Sequence, residues 1–325
     1  AETTIVQATN PDDHVFEVTA DYVTINGFTV KGAIEGSKAG IYLASVANCN
    51  IRANNASNND VGVELFKANS NILVDNITTL NGQCGILMYA SSYNIFTNNI
   101  MSGNANNFWL QGHSDTHFEN NIDTSNTVDG KPIYYMRNVT NQVYDSLTNV
   151  GLFYCISCED LTIEDLTLTH NGVGIFFWKT HNSRIENVIS TNNHNGICLL
   201  HSNGNSLVGN NVSHNTEHGI FVRYSAGNIF TDNACSNNII GISLYDSSNN
   251  IVTNNVATSN GNSGICLIDS PSNTLRNNTV SSNYYGISLG DPHHTSSNNT
   301  IYFNNFIDNA ENVCSSYPTN TWNSP

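Results

Sequence analysis

The chain is short of charge, and shorter still of cations. Its 325 residues include 10 Lys or Arg against 26 Asp or Glu, a formal net charge of -16. So few cations cannot displace the counterions of a nucleic-acid backbone or grip an anionic membrane, and neither partner is expected. No apolar run approaches the roughly 20 residues that span a bilayer, so no transmembrane segment is expected either. No charged-then-apolar leader precedes AETTIVQATN. That opening reads as an extracellular chain, at a cell surface or envelope, whose signal peptide has already been removed. The Leu-x-x-Leu-x-Leu frame of leucine-rich repeats is missing. Helix formers are scarce beside Asn, Ser and Thr, which sets helical repeats aside as well.

What fills the chain instead is Asn, about one residue in six, and it recurs on a fixed period. A Gly precedes an apolar-x-apolar triplet at Gly40, Gly62 and Gly85, then at Gly151, Gly174, Gly196, Gly219, Gly241, Gly264 and Gly286, in steps of 22 or 23 residues. Asn-x-apolar follows each time, as at Asn71, Asn94, Asn205, Asn228, Asn250 and Asn273, and a second Asn cluster comes after it. Within each copy the apolar residues alternate, as Ile242 and Leu244 do, which is the period of a strand. Short strands separated by Asn, Ser and Gly corners predict an all-β, single-stranded parallel β-helix, a solenoid of about 13 coils with Asn-rich turns. Asn stacked at equivalent corners would bond one another and the backbone along the axis. One irregularity interrupts the register: the step from Phe108 to Gly151 is 43 residues. The expectation is one domain over 1–325, with a bulged coil around 123–150.

The motif GI-x-L-x-x-S-x-x-N-x-I-x-x-N resembles the right-handed β-helix repeats of NosD-like, carbohydrate-binding and sugar-hydrolase (CASH) proteins. DHVFEVTADYVTINGFTVKGA (13–33), VDGKPIYYMRN (128–138) and CEDLTIEDLTLTHNGVGI (158–175) look most like archaeal cell-surface members. The resemblance implies a right-handed helix over the whole chain. Its functional labels run from copper-site maturation through sugar binding to surface structure, so function has to be sought in the residues.

Residues at one offset from the Gly stack above one another. Five places on stand Lys179, His201, Tyr224, Asp246, Asp269 and Asp291. Carboxylates one coil apart repel unless they share a proton, bind a cation or face water. Asp246, Asp269 and Asp291 therefore read as a Ca²⁺ site, as an acid–base set with His201 and His293, or as solvated turn residues. Asp291-Pro292-His293 also resembles the Asp-Pro-His-Asp motif of mannuronan C5-epimerases. His294 stands in the fourth place, however, and no Tyr falls three places before the Asp. No other metal or cofactor is expected: the histidines are scattered over turns, and Cys155-x-x-Cys158 has no second pair.

Two further features point to assembly. Cys198 and Cys266 each lie between two inward apolar residues and should face outward; with Cys49 and Cys314 they are candidates for intermolecular disulfides. On the same outward offsets Phe66, Tyr89, Phe176, Trp178, Leu200, Phe221, Tyr245 and Ile268 form an apolar stripe, a contact surface for another subunit or for sugar rings. Neither end shows a capping helix, which suggests head-to-tail stacking. Three functions are in play. The first is a non-enzymatic structural subunit of an archaeal sheath or surface layer, a polymer of itself. The second is a carbohydrate-binding or carbohydrate-active β-helix, such as a lyase, epimerase or glycosidase. The third is a copper-handling accessory protein.

Overall fold

The computed structural model describes residues 4–146, 149–290, 296–315 and 319–323. The chain is an all-β parallel β-solenoid of about 13 turns. A 3-10 turn at Asp115–Phe118 is the one helical element among the described residues. Two compact units divide it, meeting in sequence at Tyr135 and Met136, with 149–152 and 170–172 belonging to the first; each is described by itself.

In the first unit every coil lays down a long strand and two short ones. The long strands Phe16–Val18, Ala39–Ala44, Val61–Phe66, Cys84–Tyr89 and Asn106–Gln111 form one parallel sheet. Thr127–Val128 ends the regular coils by turning through Asp129 and Gly130, both left-handed, into an antiparallel return at Lys131–Pro132. The second unit repeats the plan from Val173–Trp178 through Asn195–Leu200, His218–Arg223, Ile240–Tyr245, Ser263–Ile268 and Tyr285–Leu289 to Glu311–Ser315. Its inner wall is a column of like on like: Ile175, Ile197, Ile220, Ile242, Ile265 and Ile287 pair in register, all fully buried. The apolar residue two places on does the same, so each coil offers the next a matched surface.

The Asn clusters are ladders. In the second unit Asn205, Asn228, Asn250, Asn273, Asn299 and Asn320 are linked rung to rung, each backbone N–H donating to the side-chain oxygen of the next. Parallel ladders run from Asn210 to Asn304 and from Asn193 to Asn309. The first unit holds three more, among them Asn54, Asn76, Asn99 and Asn126. A fourth column in the second unit does the same with hydroxyls, from Thr180 through Ser202, Ser225, Ser247 and Ser270 to Ser296. The repeated Asn-Asn pairs now have a physical reading. In Asn254-Asn255 the first residue is exposed and left-handed (φ 56°) and bends the chain, while the second is buried and feeds its ladder. Left-handed backbone is costly for most residues but tolerated by Asn, so one amino acid serves both places.

Candidate functional site

The Lys179–Asp291 column lies at the corner that closes each long strand. Lys179, His201, Tyr224, Asp246 and Asp269 all have φ between 47° and 53°, so they are the left-handed residues of that corner. Asp291 and His293 lie outside the described residues. The corner nonetheless gathers a surface. Trp178 meets His201 edge-on at 4.9 Å, and His201 stacks on Tyr224 at 4.9 Å and 23°. The Arg223 guanidinium lies 4.7 Å from the centres of both the Tyr224 and the Tyr245 rings. It donates to the Tyr224 hydroxyl at 2.9 Å and stands 3.8 Å from Asp246. Asp246 therefore faces a cation rather than only its neighbouring carboxylates.

Two expectations are corrected. Cys49, Cys198 and Cys266 are buried, and all eight thiols are free; only Cys314 is partly exposed. Cys198 does sit on the outward face, but Phe176 and Phe221 flank it in register and cover the sulfur. Burial, with Glu217 adding its charge, pushes its thiol well above the ordinary range. Cys49 occupies an Asn place: its N–H donates to Asn71 and its thiol points at the Ala20 carbonyl. The apolar stripe is also less open than expected. Phe176 and Trp178 are buried, and Phe66, Tyr89, Leu200, Phe221, Tyr245 and Ile268 are half-buried. Rungs about 4.8 Å apart bring bulky outward side chains over one another. The open apolar residues are elsewhere, on the short strands, as at Ile72, Ile95, Ile229 and Ile251.

Sequence reasoning found Phe66 and Tyr89 on the outward face of the first unit and missed Glu64 among them. Glu17, Tyr42, Glu64, Leu87 and Trp109 follow one another in register across five rungs. Tyr42, Leu87 and Trp109 pack against Ala39, Val61 and Cys84, which leaves Glu64 half-buried between Tyr42 and Leu87. Among the described residues its carboxyl has no hydrogen bond or salt bridge. Burial pushes its pKa up from 4.5 to about 7, with Lys38 pulling weakly the other way. His14 stacks on Tyr42 at 4.2 Å and 10°, its Nδ1 accepting the Ala39 N–H at 2.9 Å. Two residues further along the strand Phe66 stacks on Tyr89 at 5.3 Å, and the Tyr89 hydroxyl meets His113 Nε2 at 3.0 Å.

The raised carboxyl has a consequence for stability. A carboxyl whose folded pKa lies above its unfolded one holds its proton more tightly when folded. Glu64 should therefore cost stability progressively as pH rises from about 4.5 to about 7, with no further loss above. Calorimetry of Glu64→Gln should show a melting temperature higher than wild type by about 3 °C at pH 8, the gap closing at pH 4.5.

Glu217 lies between two imidazoles, 2.7 Å from His194 Nε2 and 3.7 Å from His218 Nε2. Burial holds His218 down to about 4, so it is neutral across physiological pH. Cys158 occupies the hydroxyl column below Thr180, and a hydrogen bond with the Cys155 thiol lowers its own to about 7. Among the described residues no three His, Cys, Asp or Glu side chains are arranged to hold a metal ion.

A family model described as "Periplasmic copper-binding protein (NosD)" matches residues 4–149 and 125–325. No curated protein matches the chain. Among solved structures, a variant of the periplasmic alginate epimerase AlgG is similar over 93% of this chain and 77% of that one, with a TM-score of 0.51 at 14% identity. The A-module of Azotobacter vinelandii mannuronan C-5 epimerase AlgE4 aligns over 92% and 78%, with a TM-score of 0.49 at 11% identity. A PL6 alginate lyase in complex with a trisaccharide aligns over 98% and 84%, at 0.40 and 12%. At such identity the AlgG likeness shows the fold alone. The chain belongs to the NosD family, and the copper in that family's description finds no matching donor set among the described residues.

Proposed function

We propose that this protein is an extracytoplasmic carbohydrate-binding β-helix, and that the corner of the second unit holds the glycan. The observation that carries this reading is Tyr224. Its ring is 45% exposed, backed by His201 and bridged by Arg223 to Tyr245. The exposed rim of this stacked ring offers an apolar contact to a sugar, while Arg223 and Asp246 supply a donor and an acceptor for hydroxyls. AlgG, described as an alginate epimerase, acts on a polysaccharide, in keeping with such a ligand. The polymer differs, however: a chain of net charge -16 repels a polyuronate, so the ligand is a neutral polysaccharide.

An envelope polymer drew part of its support from thiols and an apolar stripe. The thiols of Cys49, Cys198 and Cys266 are buried, and so are the rings of Phe176 and Trp178, so the glycan reading stands on firmer ground. Affinity electrophoresis through gels carrying laminarin, galactomannan, xylan, alginate or polygalacturonate tests it. Retardation is expected in at least one neutral gel and in neither acidic one. Tyr224→Ala should weaken it about tenfold, the worth of one ring contact. Free migration in every gel, or an unchanged variant, would refute the assignment.

A further inference from the structure

Asn followed by Gly is chemically labile. The Gly nitrogen, with no side chain beside it, can attack the Asn side-chain carbonyl carbon and close a five-membered ring. The chain holds six such pairs, opening at Asn26, Asn81, Asn171, Asn195, Asn203 and Asn260. Attack needs an Asn amide free to swing onto its own backbone and a Gly N–H that can be released. Five of the six amides are held. Asn81 and Asn260 are buried ladder rungs: the oxygen of each accepts the backbone N–H of the rung before, and its amide donates to a carbonyl and to the next rung. Asn171 is buried with its amide on the Gly151 carbonyl at 3.0 Å, and Asn195 is buried with its oxygen on the His218 N–H at 3.1 Å. Asn203 is exposed, but its oxygen accepts the Ala226 N–H at 2.7 Å. Asn26 differs from all of these. It ends the strand Thr24–Asn26 on the outward face, exposed, and among the described residues its side chain makes no hydrogen bond. Gly27 donates to the Arg52 carbonyl at 3.2 Å, a longer bond than those of Gly82, Gly172, Gly204 and Gly261, which span 2.8 to 3.1 Å. A Cβ on Gly27 would meet nothing within 4 Å, so no neighbour resists the new ring.

We propose that Asn26–Gly27 is a self-modifying site, where Asn26 turns into aspartate and isoaspartate as the protein ages while the fold preserves the other five pairs. The Gly27 nitrogen gives its proton to hydroxide and bonds to the Asn26 side-chain carbon, and ammonia leaves. Water then opens the ring. Breaking the new C–N bond gives aspartate; breaking the old peptide bond gives isoaspartate, whose backbone runs through the former side chain. One water is consumed and one ammonia released, and neither an oxidant nor an enzyme is needed. The two products differ in what they do to the coil. Asn26 pairs in register with Arg52, so the aspartate gains a neighbouring cation on the surface and is tolerated. Isoaspartate inserts one more backbone atom beside Ile25, which is buried and paired with Ile51, so that product loosens the rung. The ladders therefore have a second role in the first and second units alike: they shelter labile Asn–Gly pairs by occupying the very amides that would react.

The test holds the full chain in mildly alkaline buffer at body temperature and follows all six pairs by peptide mapping and mass spectrometry. Asn26 should convert at least about tenfold faster than any of the other five, since each of those must first break its tie by local opening. An isoaspartate methyltransferase should label the aged chain, and most of that label should be missing from aged Asn26→Gln. In urea, where no pair is held, the six should convert at similar rates. Should Asn26→Gln fail to fold, the comparison of wild-type chain in buffer and in urea decides alone. Conversion of a ladder pair ahead of Asn26, an Asn26 that stays intact, or a lead for Asn26 that persists undiminished in urea would overturn the proposal.

Discussion

Asn233→Ala is expected to cost about 4 kcal/mol, among the largest effects of any single side chain. Asn233 sits mid-ladder. Its side-chain oxygen accepts the Asn210 backbone N–H at 3.0 Å and the Asn210 amide at 2.9 Å. Its own amide donates to the Leu207 carbonyl at 3.0 Å and to Asn255 at 2.9 Å. Truncation leaves the buried Asn210 N–H without a partner and takes one donor from the Leu207 carbonyl, which keeps its place in the strand ladder. The orphan costs about 1–3 kcal/mol, and the other side-chain hydrogen bonds lost add about 1 kcal/mol each. Asn233→Leu should be worse, because it refills the volume and bars a rescuing water while restoring neither bond. Asn254→Gly is the contrast: it changes an exposed left-handed Asn, keeps φ comfortable, and should stay within about 1 kcal/mol. Urea midpoints measure all three, and hydrogen exchange at Asn210 locates the damage. A loss below about 1 kcal/mol for Asn233→Ala would mean that the ladders do not hold the coils.

The same contrast explains what could be read from sequence. The period, the inward apolar pair and the Asn ladders were legible because each coil restates them, and neighbours of like kind meet. Glu64 was not. In VGVELF it looks like an ordinary outward residue, and its burial comes from Tyr42 and Leu87, each a whole coil away. Cys198 failed for the same reason: alternation gave its direction correctly, but Phe176 and Phe221 on the adjacent rungs decided its exposure. Periodicity tells which way a side chain points. How deep it lies depends on the size of what stacks above and below, and that differs from coil to coil. The corner column shows the other limit, since Asp246 and Tyr224 share one backbone role and differ only in what Arg223 brings to them.

Gly241→Ala should break the solenoid where Asn233→Ala loosens it. The glycine that opens each long strand is not there for a left-handed turn. Its constraint is distance: a Cβ on Gly241 would stand 2.5 Å from the Gly264 carbonyl oxygen, 3.0 Å from the Asn260 amide and 3.0 Å from the Cys235 carbonyl. Two of those are backbone and the third is a ladder rung, so none can swing away. Gly196, Gly219 and Gly264 would meet the next coil in the same manner, at 2.6, 2.6 and 2.8 Å, which is why Gly marks the period in these coils. A methyl at position 241 must push the 263–268 strand off its neighbour, at about 3 kcal/mol or more. Stability in a stacked array is carried by nearest-neighbour interfaces, so the loss should appear as a divided transition, with coils beyond Gly264 melting apart from those before Gly241. Gly261→Ala, whose Cβ would meet nothing nearer than 3.9 Å, should be neutral or slightly stabilising. A single unshifted transition for Gly241→Ala would show that the rungs can separate freely, and the close stacking that places Glu17, Tyr42 and Glu64 in one line would lose its physical basis.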